Sequence, residues 1–162
     1  HHYDVLEQTE PVQRVREKVL DLSAFLLNVL EISKLDSSFP HRVGLHQSCH
    51  GLRGLRLGTG SERNMEEESK LNQLLEMVED IELIELQRAD ECCGFGGTFA
   101  VAEPAISGKM GKDRIADHTR AGAEVITAGD MSCLMHLEGI LRRQKSAVKV
   151  MHIAEILNGN SI

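Results

Sequence analysis

Between Pro11 and Ile32, apolar residues recur at Val12, Val15, Val19, Leu22, Leu26 and Val29. Spacings of three and four predict one amphipathic helix, and Pro11 suits its first turn. The segment "SKLDSSFPH" breaks the pattern, with Pro40 as the stop. "RVGLHQ" (42–47) reads as a short buried strand that ends just before Cys49, and Gly-rich "GLRGLRLGTGSERN" (51–64) as a helical turn followed by a loop. "EEESKLNQLLEMVED" (66–80) returns to helical spacing, with acids at the end where the helix dipole favours them. Strand-like runs recur at "IELIELQ" (81–87), "AEVITAG" (123–129) and "AVKVMHI" (147–153). Helices are predicted between them, from Pro104 to Arg120 and over 132–144, and a short helix closes the chain. This alternation predicts an α/β fold. It has a mostly parallel, Rossmann-like sheet of about four strands, with right-handed crossovers and helices on both faces. The chain reads as a single domain over 1–162, with a helix at about 11–32 leading into an α/β core at about 42–157. No internal repeat or low-complexity segment interrupts it.

Composition narrows the function classes. The chain has 162 residues, enough to bury a core without staples, and its 41% hydrophobic content is ordinary for a globular domain. A formal net charge of −7 argues against nucleic-acid binding, since "LRRQK" (141–145) is the one compact basic run. No stretch of about 18 apolar residues predicts a transmembrane segment. "HHYDVLEQTEPV" has neither the cationic head nor the apolar middle of an export signal, and His1 and His2 read as a tag remnant or part of a longer chain. The expected localisation is therefore cytoplasmic, where thiols stay reduced and serve as metal ligands or catalysts rather than disulfides. No Trp and a single Tyr leave few stacking platforms for bases or sugars.

The four cysteines share a placement. Cys49 follows the first predicted strand, Cys92 and Cys93 the second, and Cys133 the third. Each therefore lies beyond the carboxyl end of a strand, the edge on which open α/β sheets build their ligand sites. Adjacent cysteines rarely bridge each other, but each can give a thiolate to a multinuclear centre. Gly94, Gly96 and Gly97 let backbone N–H groups approach a cluster's sulfides, and such hydrogen bonds tune its potential. "CCGFGG" reads as a metal-cluster loop.

"HQSCHGLRGL", "CCGFGGTFAV" and "GDMSCLMHLEGILRR", in this order, closely resemble the cysteine-rich CCG domain of iron–sulfur oxidoreductases. The likeness runs from Arg42 to Leu157 and is strongest to the A-type group of lactate-utilisation proteins. That group is kin to the iron–sulfur component of glycolate oxidase and to the B-type component of heterodisulfide reductase. The resemblance implies the C-terminal repeat of a two-repeat protein and a single iron–sulfur cluster, [4Fe-4S], held by Cys49, Cys92, Cys93 and Cys133. Relatives often close with a C-x-x-C pair, whereas this chain has Cys133-Leu-Met-His136. His136 is thus a candidate ligand of iron or zinc, and equally a hydrogen-bonding neighbour. The implied function is electron transfer within a cytoplasmic complex oxidising L-lactate or a similar 2-hydroxy acid, with a ferredoxin-like iron–sulfur protein among its partner subunits. No residue reads as a hydroxy-acid base or flavin anchor, so substrate chemistry is assigned to partners. The alternative is a redox-silent zinc-binding or assembly module. A further alternative is thiol–disulfide chemistry at Cys92 or Cys93. His46 and His50 are read as hydrogen-bonding neighbours of the site, and His152 as a satisfied, partly buried histidine. Phe95, Phe99, Met131 and Met135 are read as packing, and Arg53 and Arg56 as an exposed basic loop.

Overall fold

The computed structural model describes residues 5–65 and 68–162. His1 and His2 lie outside the described residues, as do Glu66 and Glu67 from the predicted acidic helix start.

Four strands form one parallel sheet: β1 (Arg42–Leu45), β2 (Glu82–Leu83), β3 (Val125–Ala128) and β4 (Lys149–His152), in the order β2-β1-β3-β4. The expected α/β architecture is borne out. Because side chains alternate across a sheet, consecutive residues of β3 serve different cores. Val125 packs with Val43 and Leu45 of β1, with Leu71 and Leu75 of α3 (Lys70–Leu75), and with Ile153 and Ile156 of α7 (Ile153–Leu157). Ile126 faces the other way, onto Ile115 of α5 (Pro104–Arg120) and Leu137, Ile140 and Leu141 of α6 (Met131–Gln144). Helices therefore cover both faces.

Several boundaries differ from expectation. The single helix over 11–32 is two, α1 (Glu10–Lys18) and α2 (Leu22–Asn28). Asp21 breaks it: its carboxylate accepts from the backbone N–H of Ser23 and Ala24, starting a new helix in place of continuing the old one. The apolar stripe that suggested one helix is only partly covered: Val15, Val19, Leu22 and Val29 are exposed, whereas Val12 and Leu26 are half-buried. The second strand shrinks from 81–87 to two residues at the sheet edge. A short helix absent from expectation, α4 (Thr98–Ala102), follows the glycine loop. Pro104 opens α5 as expected, and Asp130 caps α6 by accepting from Ser132 N–H at 3.0 Å. Among the described residues no helix is long and apolar enough to cross a membrane.

One face is built for close approach. Gly44, in the middle of β1, sits against His118 of α5, so closely that a Cβ there would lie 2.3 Å from the ring Nδ1. Glycine is what lets α5 press onto the sheet at this point.

Candidate metal centre

The strand order places a topological switch point between β1 and β3. The chain leaves β1 for β2 on one side, then crosses to β3 on the other, so loops diverge beyond these two carboxyl ends and leave a crevice. His46 lies one residue past β1, its N–H still held by the Thr127 carbonyl of β3 at 2.7 Å. Cys49 precedes a π-helical turn over His50–Gly54. Cys92 and Cys93 stand on the loop after β2, and Cys133 in the first turn of α6.

All four cysteines line one cavity of about 640 Å³, together with His46, His50, Phe95, Gly96, Gly97 and Asp130. The thiols are free and influence one another in sequence, Cys49 with Cys92, Cys92 with Cys93 and Cys93 with Cys133. Depth divides them. Cys93 and Cys133 are buried, whereas Cys49 and Cys92 are half-buried towards the mouth. At the deep end, the ligand atoms of His46, Cys93 and Cys133 all lie within 4.8 Å of one another.

The loop glycines serve the turn. Gly94, Gly96 and Gly97 have φ of 85°, 54° and 57°, in the left-handed region that other residues adopt only with strain. The first of these turns aims the Gly94 N–H at Cys92 Sγ, 3.3 Å away. A backbone donor aimed at a ligand sulfur is the kind of contact that tunes a cluster.

Electrostatics favour neutral thiols until a cation arrives. Cys93 is pushed up to about 11, chiefly by its hydrogen bond to Cys133. Cys92 is raised by its bond to Cys93 and then by burial, and Cys49 by burial first. A bound metal inverts that balance and deprotonates the thiols it coordinates. Burial, reinforced by the Arg114 guanidinium, lowers His46 to about 3 and keeps its ring neutral. Soft thiolates beside a neutral imidazole form a donor set suited to iron–sulfur clusters or zinc.

Other residues named from the sequence fall elsewhere. His136 turns towards α5, its Nε2 at 3.3 Å from the Ser107 carbonyl, and lies outside the cavity lining. His152 caps α7, accepting from Ala154 N–H at 3.2 Å while Glu155 accepts from its own N–H. Arg53 is engaged by Glu62 at 2.8 Å and Asp90 at 3.7 Å. Phe95 packs against the α5/α6 core, whereas Phe99 is exposed. Met131 and Met135, expected as packing, are instead 52% and 54% exposed, because α6 turns its leucines, not its methionines, to the sheet.

Sequence reasoning missed what lies beneath the cavity. Ser107, Gly111, Arg114 and His118 fall at helical spacing along α5, and all four are buried. Arg114 donates to the carbonyls of Arg88 and Ala89 and pairs with Asp117 at 3.2 Å. Asp117 in turn accepts from the Arg88 N–H at 3.1 Å. This buried pair pins the backbone that enters the Cys92–Cys93 loop. A polar and small stripe at 107, 111, 114 and 118 was the available signal, invisible to a search for apolar faces.

Residues 43–138 match the CCG cysteine-rich domain family. The chain is 38% identical over 149 residues to "Lactate utilization protein A" of Oceanobacillus iheyensis, covering 92% of this chain and 57% of that protein. It is 37% identical over 161 residues to the protein of that name in Exiguobacterium, covering 96% and 62% respectively. In Halalkalibacterium halodurans the identity is 38% over 163 residues, covering 98% and 63%. The chain thus spans between 57% and 63% of the length of these curated relatives.

Proposed function

The chain belongs to the CCG cysteine-rich domain family, and from that premise we propose that it holds an iron–sulfur cluster, [4Fe-4S], on Cys49, Cys92, Cys93 and Cys133. Its role is to relay electrons within a cytoplasmic complex that oxidises L-lactate, or a similar 2-hydroxy acid, to the keto acid. The observation that carries this reading is the meeting of four free thiols, from three separate segments of the chain, in one cavity at the switch point of the sheet. The relatives' name, lactate utilization protein A, supplies the substrate class.

Bound, the cluster would supply one-electron redox chemistry. The chain's own residues do the rest. Cys93 and Cys133 ligate from the buried end, while Cys49 and Cys92 close the site at its mouth. Gly94 N–H, already directed at Cys92 Sγ, supplies a fixed hydrogen bond to a ligand sulfur. Arg114 and Asp117 hold the incoming loop in place. Oxidation of a 2-hydroxy acid releases two electrons and two protons; this domain carries the electrons, and partner proteins, one of them ferredoxin-like, carry the substrate chemistry.

The test is visible absorption and EPR of anaerobically reconstituted protein, wild type and Cys93→Ser. Serine oxygen is a harder, poorer ligand for iron–sulfur clusters than thiolate, so the variant is expected to lose or shift the cluster signal while remaining folded. An unchanged spectrum removes Cys93 from the ligand set. The close His46–Cys93–Cys133 group supports zinc as the second reading. Metal analysis decides: a wild type that binds zinc and takes up no iron overturns the electron-relay function.

A further inference from the structure

We propose that His46 is a direct nitrogen ligand of the metal centre, completing its buried end with Cys93 and Cys133, so that the cluster is held by mixed imidazole and thiolate donors. This inference rests on the iron–sulfur function proposed above.

Position comes first. Side chains alternate along β1 and its extension, so His46 projects to the same face as Gly44, the face covered by α5 and α6. Cys93 and Cys133 belong to the hydrophobic cluster on that face. The backbone bond from His46 N–H to Thr127 keeps the residue in register with the sheet, so its ring is presented from a rigid strand end, not a free loop. Its nitrogen lies with the two sulfurs inside a sphere of donor atoms, all within 4.8 Å.

Satisfaction comes second. His46 is fully buried, and among the described residues neither Nδ1 nor Nε2 has a hydrogen-bond partner. A neutral imidazole carries one N–H and one lone pair, and leaving both unmet in a protein interior is costly. Metal coordination is the bond that this environment offers to the lone pair. His118 provides the contrast. Its ring nitrogens are also unpartnered and buried, yet its Nδ1 faces Gly44 and it does not belong to the donor group. An unmet nitrogen is therefore not sufficient by itself; in His46 it coincides with two thiols at coordinating range.

Chemistry comes third. Histidine in place of cysteine on an iron raises a cluster's reduction potential, because a neutral donor replaces an anionic one. His46 and the four cysteines together make five donors on this cavity. A four-iron cube needs only four. With the three buried donors bound, one of the mouth pair, Cys49 or Cys92, would drop out of the four-cysteine set proposed above.

The test uses the chain reconstituted anaerobically with iron and sulfide, reduced, and studied by pulsed EPR with and without 15N-histidine labelling. A strong nitrogen coupling of a directly bound imidazole is expected, switching to the 15N pattern in labelled protein. It is expected to persist in His50→Gln and His136→Gln. His46→Cys is expected to abolish it, and to keep a cluster at a lower reduction potential. A wild-type cluster without strong nitrogen coupling overturns the inference and leaves the electron-relay function standing. Coupling that vanishes in His136→Gln or His50→Gln overturns it also, since another ring is then the donor. A wild type that forms no iron–sulfur cluster overturns both together.

Discussion

Gly44 and His118 show how single residues set the depth of the site. A methyl group at position 44 would meet the ring Nδ1 at 2.3 Å and Ile84 Cδ1 at 3.3 Å, and the ring itself is fully buried with nowhere to go. Gly44→Ala is therefore expected to destabilise the domain by about 1–3 kcal/mol, read as a lower urea midpoint at unchanged slope. His118 also makes stability pH-dependent. Burial first, then Arg114 and His46, lower its pKa to about 2, well below its ordinary value of 6.5. Below about pH 6.5 the unfolded chain takes up a proton that the folded chain refuses. The stability contributed by the neutral ring is thus complete above that pH and is lost as pH falls towards 2, by roughly 1.4 kcal/mol per pH unit. Urea titrations of metal-free protein at pH 7, 6 and 5 should show this decline, and His118→Gln should shallow it. An identical slope in the variant would mean that other groups carry the effect.

At the scale of elements, α5 organises the site it does not line. The Arg114–Asp117 pair is buried, and removing Arg114 leaves Asp117 with only the exposed Arg120 as a cationic neighbour, 3.7 Å away. Arg114→Met is expected to cost about 3–5 kcal/mol. The double variant Arg114→Met, Asp117→Leu should recover much of that stability, yet take up metal poorly, because the side-chain bonds that tie the backbone of Arg88 and Ala89 to α5 are then gone. Urea denaturation and bound-iron stoichiometry separate the two effects; full metal uptake by the double variant would show that the pair serves stability alone. The same contact explains why β2 is short. The Ile84 N–H still reaches the Val43 carbonyl at 3.0 Å, but the chain then peels from the sheet edge to deliver Arg88 and Ala89 to α5. In "IELIELQ" the alternation breaks at the adjacent apolar pair Leu83 and Ile84, where β2 ends, a mark that the run of strand-like residues on either side obscures. The other strands were legible because they are apolar runs bounded by turns, and the cysteines because each follows one. The stripe of α5 was not legible, since burial was inferred from apolarity and this helix buries serine, arginine, aspartate and histidine. The break at Asp21 was hidden for the converse reason: the apolar stripe runs on across it, although much of that stripe stays exposed.

For the whole molecule, two hydrophobic cores on opposite faces of the sheet are expected to hold the fold without a bound metal. A domain of this length buries enough surface to fold alone, unlike a small zinc finger. Stripping the metal with a chelator is therefore expected to leave far-UV circular dichroism intact while lowering Tm by the binding contribution only. A stripped sample with the spectrum of a random coil would show that the metal drives folding. Candidate donors drawn from three segments of the chain also constrain descent. They run from His46 to Cys133, across most of the alternating core. A gene duplication of any shorter stretch would copy some of these residues without their companions, and β1 and β4, which complete the sheet beneath them, extend the necessary unit further at both ends. Inside a copied unit each loop can drift alone, losing or exchanging one donor at a time, while the strands go on bringing the others together.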